Sequence, residues 1–287
     1  MIFLVTGARG NIGSRVVAEL ARRGHHVRAS ARDVTGLELP DDVEPVQLDL
    51  VEPHNADAAL AGVDAIFLYP TRVAPTEFLA AAAKAGVRYV VLLSSPDVYE
   101  GAPDNPIRLG HLASEQAVRE SGLRYTVIYP GWLATDASRD WGAQIRSGDR
   151  VGIAYPEGQF TPIHEDDIAE VVAELLTTDR YPGTTLALTG PESLTQAEIV
   201  AILAGELGRS LTVDALTRQQ AQERREPWMP ERVLESVMDS AERAITMPAP
   251  VNNTVERFTG HPPRTFRQWA AEHRAEFSPT STKPRGG

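Results

Sequence analysis

The run Thr6-Gly7-Ala8-Arg9-Gly10-Asn11-Ile12-Gly13 restricts the fold more than any other stretch of the chain. Residues 1–5 before it, Met-Ile-Phe-Leu-Val, read as a short buried strand. Residues 11–23 after it place Val16, Val17, Leu20 and Ala21 at helical spacing. Strand, glycine turn and helix in that order is the context in which this pattern signals dinucleotide binding. Gly7 allows the tight turn, Gly10 lets backbone approach a pyrophosphate, and Gly13 lets the helix pack closely on the strand. N–H groups at the helix start then face the phosphates. Gly7, Arg9, Gly10, Asn11, Ile12 and Gly13 are therefore the expected cofactor cradle.

The alternation continues. Strands are expected over residues 26–31, 46–50, 63–69, 88–94 and 124–129, with helices over 75–85 and 109–121. Strands alternating with helices of this length predict a parallel sheet covered on both faces. The fold class is thus α/β, a doubly wound Rossmann sheet with its ligand at the carboxyl ends of the strands. Past residue 135 the rhythm loosens. Helices are expected over 136–147 and 164–177, then a strand over 184–188. Thr195 and Glu198 have the spacing of a capping box at the start of a helix over 194–207. A strand over 211–216 and helices over 218–225, 231–245 and 264–277 complete the reading. It divides the chain into a dinucleotide-binding core (1–150), a smaller, mostly helical lobe (151–277) and a disordered polar tail (278–287). The lobe returns in part to the core and is expected to supply substrate contacts. Trp132, Phe160, Trp228 and Met229 are its candidate pocket residues, or else its core.

Composition narrows the function. Among 287 residues the net charge is −11, which argues against a nucleic-acid partner. No apolar run is long enough for a membrane span, and no basic-then-apolar leader precedes the first strand. With no cysteine there is no disulfide and no thiolate nucleophile, which fits a cytoplasmic setting. The histidines show no metal-ligand spacing, so no metal is expected. A small-molecule substrate and a monomer or homodimer are expected.

The end of the second strand bears on the cofactor. Folds that prefer NAD place a carboxylate there, against the ribose hydroxyls. Here the position falls on Ala31, and Arg32 follows. A small residue leaves room for a 2′-phosphate, and a guanidinium can pair with it through two N–H groups. NADP(H) is the expected cofactor. NAD(H) is the alternative, because a shift of one residue puts Asp33 at the deciding position. Asp49, next to Leu50, is a candidate acceptor for the adenine amino group or a turn former.

Several segments together resemble the atypical short-chain dehydrogenases, specifically the NmrA-like group. They are the opening glycine run, Leu92-Leu93-Ser94-Ser95, residues 111–115, residues 121–131 ending Tyr129-Pro130-Gly131, residues 164–169, and residues 258–266. Typical short-chain dehydrogenases use a Tyr-x-x-x-Lys pair in which the lysine lowers the tyrosine pKa. The resemblance places His111 and Glu115 at those positions, and the lysines of this chain, Lys84 and Lys283, lie elsewhere. The same replacement recurs in NmrA-like quinone reductases and cofactor-sensing regulators. Ser94-Ser95-Pro96-Asp97-Val98-Tyr99 resembles the Ser-Ser-x-x-Val-Tyr stretch of extended members, so Ser95 either orients the reacting oxygen or closes a turn.

His111 is a candidate proton donor, which Glu115 at i+4 can orient. Tyr99 is a second candidate acid, and Tyr69 either an acid or a wall of the nicotinamide site. Ser94, Tyr69 and Tyr129 complete the candidate cofactor set, with Tyr129 standing where many relatives carry arginine. The leading expectation is an NADP(H)-dependent reductase of a small electron-poor acceptor: a quinone, enone or activated carbonyl. A cofactor-sensing regulator and a non-redox tailoring enzyme are the alternatives.

Overall fold

The computed structural model describes residues 1–178, 180–247 and 249–278. Apart from Ser278, the expected tail lies outside them. The chain forms two compact units, each discontinuous in sequence. The first comprises Met1–Gly131, Glu165–Thr189 and Asn252–Pro263; the second comprises Trp132–His164, Gly190–Val251 and the residues from Arg264 onward.

The first unit is built on a parallel sheet. Its strands are β1 (Ile2–Thr6), β2 (His26–Ala31), β3 (Val43–Gln47), β4 (Ala65–Leu68), β5 (Tyr89–Leu93), β6 (Arg124–Pro130) and β7 (Thr184–Leu188), in the spatial order β3-β2-β1-β4-β5-β6-β7. The order reverses beside β1, the switch point at which an open α/β sheet leaves a crevice at its carboxyl edge. Thr6 pairs with Ser30 and Leu93 with Ile128, so the strands end nearly level along that edge.

The central strands are buried on both faces, as continuous apolar runs such as Tyr89-Val90-Val91-Leu92-Leu93 require. Leu4, Ile66, Leu68, Val90, Leu92 and Val127 share one core with residues of helices α2 (Ala56–Leu60), α3 (Thr76–Lys84) and α5 (Pro106–Glu120). The short helix α4 (Asp97–Glu100) precedes α5. Helix α1 (Asn11–Arg22) packs against α6 (Glu165–Thr178), which in turn packs against α7 (Thr254–Thr259). Arg15 bridges α1 to α6 through Glu165 at 3.1 Å and Asp166 at 2.7 Å.

The expected strand over 46–50 instead runs Val43–Gln47. The Asp49 carboxylate accepts the backbone N–H of Val51 at 2.8 Å, and this local turn ends the extended chain. Helix α5 begins earlier than the periodicity implied. Asn105 caps it by accepting the N–H of Ile107 at 2.8 Å, and Pro106 occupies its first turn, where no backbone donor is needed.

The second unit has a separate apolar core. Trp132 lies against Trp141, Phe160 and Phe266, with ring centroids 5.7, 6.1 and 6.5 Å away. Met229 is buried, whereas Trp228 is exposed. The segment Thr212–Leu216 is a strand, as expected, and pairs in parallel with Arg150–Ala154, a strand not foreseen. The capping box at Thr195 and Glu198 is formed in full at the start of the helix Gln196–Leu207.

Candidate functional site

At the phosphate end the chain turns sharply after β1. Gly7 has φ +66°, and a Cβ there would come within 2.9 Å of the Tyr69 Cβ. A Cβ on Gly13 would lie 2.2 Å from the Gly7 carbonyl oxygen, so only glycine lets α1 sit this close to the turn. The turn is closed by the Gly10 N–H donating to the Gly7 carbonyl at 2.8 Å. Thr6 Oγ1 donates to the Phe67 carbonyl and accepts the Tyr69 N–H at 2.8 Å, which fixes the ends of β1 and β4 together. Gly10 caps α1 without a capping side chain, and no acidic residue occupies the first helical turn. A helix start of this kind presents backbone N–H groups and a positive dipole end with nothing negative in front. It is built to receive an anion.

The adjoining end of β2 carries Arg9, Arg32 and Asp33. Arg9 reaches across and donates to the carbonyls of Asp33 and Thr35, at 2.8 and 2.7 Å, so its guanidinium braces the loop after β2. The Asp33 carboxylate accepts the Thr35 N–H at 2.8 Å, and this bond holds its pKa below the ordinary value. Arg32 is exposed and makes no hydrogen bond or ion pair with the described residues. Of the two residues expected at the cofactor's ribose, the Arg32 cation is uncommitted among the described residues and the Asp33 carboxylate is folded onto its own loop. Asp49 and Leu50, which follow β3, are half-buried, Asp49 in the turn already described.

The other end of the edge, after β5 and β6, holds a side-chain network around Glu115. This carboxylate is buried within α5 and accepts three donors: Ser94 Oγ at 2.6 Å and the Tyr129 hydroxyl at 2.7 Å on Oε1, and Arg119 at 3.0 Å on Oε2. Burial first, then the hydrogen bonds to Tyr99 and Glu115, push the Tyr129 phenol far above its ordinary pKa. The Tyr99 ring meets the Tyr129 ring edge-on at 5.6 Å and is otherwise exposed. Ser95 Oγ accepts the Asp97 N–H at 3.2 Å, closing the turn into α4. Tyr69 is half-exposed at the mouth of the glycine turn.

Glu115 therefore does not hold His111, as the i+4 spacing suggested. Both of its oxygens are occupied, and the His111 Nδ1 is buried without a hydrogen-bond partner. Burial pulls the imidazole pKa below its usual value, against the opposing pull of Asp97 and Glu115. The sequence reading did not foresee that Arg119 joins this network. Its i+4 spacing from Glu115 was the available signal.

Gly7, Arg32, Ser94 and Tyr129 thus lie at the carboxyl ends of strands along one edge of one sheet. This is the geometry of a Rossmann nucleotide-binding domain with a phosphate cradle and an adjacent polar network. Residues 7–179 match the NAD(P)H-binding family. The chain is 37% identical over 283 residues, 97% of its length and 100% of the relative's, to a (4-alkanoyl-5-oxo-2,5-dihydrofuran-3-yl)methyl phosphate reductase of Streptomyces griseus. An NAD(P)H azoreductase of Xenophilus azovorans is 33% identical over 289 residues, 96% of this chain and 99% of the relative. In fold, the chain is similar to an NADPH-dependent quinone oxidoreductase of Escherichia coli solved with NADPH (TM-score 0.79, 19% identity, 95% of this chain and 99% of the other). It is also similar to NmrA, a negative transcriptional regulator, solved with NAD (TM-score 0.76, 20% identity, 94% of each chain). The chain belongs to the NAD(P)H-binding family. Among the described residues, no helix is long and apolar enough to cross a membrane.

Proposed function

We propose that this protein is an NADPH-dependent reductase that delivers hydride to a small, electron-poor unsaturated acceptor. One observation carries the reading. The position to which the resemblance assigns the pKa-lowering lysine of typical short-chain dehydrogenases is Glu115, a buried carboxylate already occupied by Ser94, Tyr129 and Arg119. A carboxylate there raises a neighbouring phenol's pKa instead of lowering it. Without an acidified tyrosine, the protein has weak means of protonating an alkoxide as it forms. The acceptor must therefore stabilise the incoming electron pair itself, as quinones, enones and azo groups do.

The relatives support this class. The Streptomyces griseus relative's named substrate has a ring C=C conjugated with two carbonyl groups, and the Xenophilus azovorans relative is named for azo reduction.

The glycine cradle fits a dinucleotide on the chain's own geometry: the Cβ-intolerant turn, the uncapped helix start, and the missing first-turn acid. Bound there, a reduced nicotinamide supplies the hydride. Gly7, Gly10 and the α1 N-terminus bind the pyrophosphate, Asn11 and Ile12 lie in that first turn, and Arg32 takes the 2′-phosphate. Arg9 holds the loop that carries Arg32. Asp49 and Leu50 flank the adenine, and Tyr69 walls the nicotinamide. Ser94 and Tyr129 act behind the site, through Glu115.

The test is an acceptor screen with purified protein, following nicotinamide absorbance with NADPH and with NADH. Reduction of 1,4-naphthoquinone or an enone, faster with NADPH, is expected. Tight NADPH binding with no acceptor reduced would move the reading to a cofactor sensor. Turnover of a substrate without absorbance change would move it to non-redox chemistry.

A further inference from the structure

We propose that His111 serves as a fixed, neutral hydrogen-bond donor through Nε2–H to a carbonyl oxygen of the acceptor, so that the substrate class is a carbonyl-conjugated C=C. The inference rests on the reductase reading above and assigns the proton state that the reading leaves open.

The two ring nitrogens of His111 stand in different surroundings. Nδ1 is buried and has no hydrogen-bond partner. Nε2 has no hydrogen bond to any described residue and is not among the buried unpartnered atoms, so it keeps some contact with solvent. A buried N–H without an acceptor costs about 1–3 kcal/mol. The imidazolium and the Nδ1–H tautomer both place a proton on that buried nitrogen, and the Nε2–H tautomer does not. Neutral Nε2–H is the form the geometry selects. Among the described residues, the charged groups that act on the ring are Asp97 on α4 and Glu115 on its own helix. Both favour the imidazolium, and burial outweighs them. Two hydroxyls of the Glu115 network are already committed. The Tyr129 hydroxyl is committed to Glu115, and Ser94 donates to the same oxygen.

A neutral imidazole is a weak acid but a good donor to a developing oxyanion. In the balanced step, hydride from NADPH, which becomes NADP+, adds to the acceptor's β-carbon. The C=C pair forms a double bond between the α-carbon and the carbonyl carbon, and the C=O pair moves onto the carbonyl oxygen. The resulting enolate oxygen accepts the Nε2–H, and a proton from water completes the α-carbon. An ordinary ketone would need full protonation of an alkoxide, which this donor does not supply.

The experiment pairs ¹⁵N imidazole NMR of the NADP+-bound protein with kinetics of His111→Gln and His111→Leu on 1,4-naphthoquinone. Expected are a neutral Nε2–H pattern for His111 at pH 7 and a rate without a histidine inflection between pH 6.5 and 8. His111→Leu should lower kcat about 100-fold, the scale of losing one oxyanion donor. His111→Gln, which keeps an N–H donor, should stay within about tenfold of wild type. NADPH affinity should be unchanged in both variants, which also reports that they are folded. An imidazolium or Nδ1–H signal, or full activity in His111→Leu, overturns the inference and leaves the reductase reading standing. A wild-type protein that reduces no quinone or enone overturns the reductase reading and this role with it, whatever the tautomer.

Discussion

The two ends of the sheet's carboxyl edge are built from different materials. At the β1–α1 turn the work is done by backbone: Gly7 at positive φ, Gly13 pressed on the Gly7 carbonyl, and a helix start with no capping side chain. At the β5 and β6 ends it is done by side chains converging on Glu115 from three elements. A backbone cradle tolerates almost no added volume, because neither partner can swing away. A side-chain network tolerates volume but not the loss of an acceptor, because its buried donors are then left unmatched. The first is a steric device and the second an electrostatic one, and their variants should fail in different ways.

The largest effect is expected from Gly13→Ala. Its Cβ would sit 2.2 Å from the Gly7 oxygen, backbone against backbone, so α1 must move off the turn. Destabilisation of about 3 kcal/mol, at the upper end for overpacking, together with lost NADPH binding should appear in a thermal melt and a fluorescence titration. If binding survives intact, the cradle is not steric.

Glu115→Ala should come next. It strands the buried donors of Ser94 and Tyr129, at about 1 kcal/mol each, the lower end for an unmatched buried donor, while NADPH affinity falls little. Glu115→Gln, which keeps an acceptor oxygen, should recover much of the stability. Equal melting temperatures for the two variants would show that the network does not depend on an acceptor.

Arg32→Ala should weaken NADPH by about 1.5–3 kcal/mol, the worth of hydrogen bonds to a charged group, and leave NADH nearly unchanged. Titration of both cofactors decides it. Equal weakening of the two would place Arg32 outside the 2′-phosphate site and return Asp33 to consideration.

The smallest effect concerns pH and stability. The His111 pKa is lowered in the folded protein from an ordinary value of 6.5. Just below pH 6.5 the unfolded chain therefore binds a proton that the folded chain refuses, and stability falls as pH drops through that window. His111→Gln should flatten this part of the curve in denaturant melts at several pH values. An unchanged slope would show that another group produces it.

What was legible in the sequence follows the same division. Gly7, Gly10 and Gly13 were readable because their constraint is local: a turn, a close approach and a helix contact within a few residues. The capping box at Thr195 and Glu198 was readable for the same reason. The alternation of strands and helices carried the sheet, because each central strand is buried on both faces and had to be continuously apolar. The Glu115 network was not readable. Ser94 lies 21 residues before Glu115 and Tyr129 lies 14 after it, and only the register of β5 on β6 brings them together. Local spacing offered His111 as the partner of Glu115 instead. Nor did local pattern show that Arg150–Ala154 and Thr212–Leu216 pair with each other outside the main sheet. Pairing partners that far apart are chosen by packing, not by neighbouring residues.

The most direct measurement is the initial rate of NADPH and NADH oxidation by the wild-type protein with 1,4-naphthoquinone, set against cyclohexanone as an unactivated ketone. Rapid quinone reduction with NADPH, slower reduction with NADH and no detectable reduction of cyclohexanone is the predicted result. Comparable turnover of cyclohexanone would contradict the account, since it would require a proton donor that the Glu115 network does not provide.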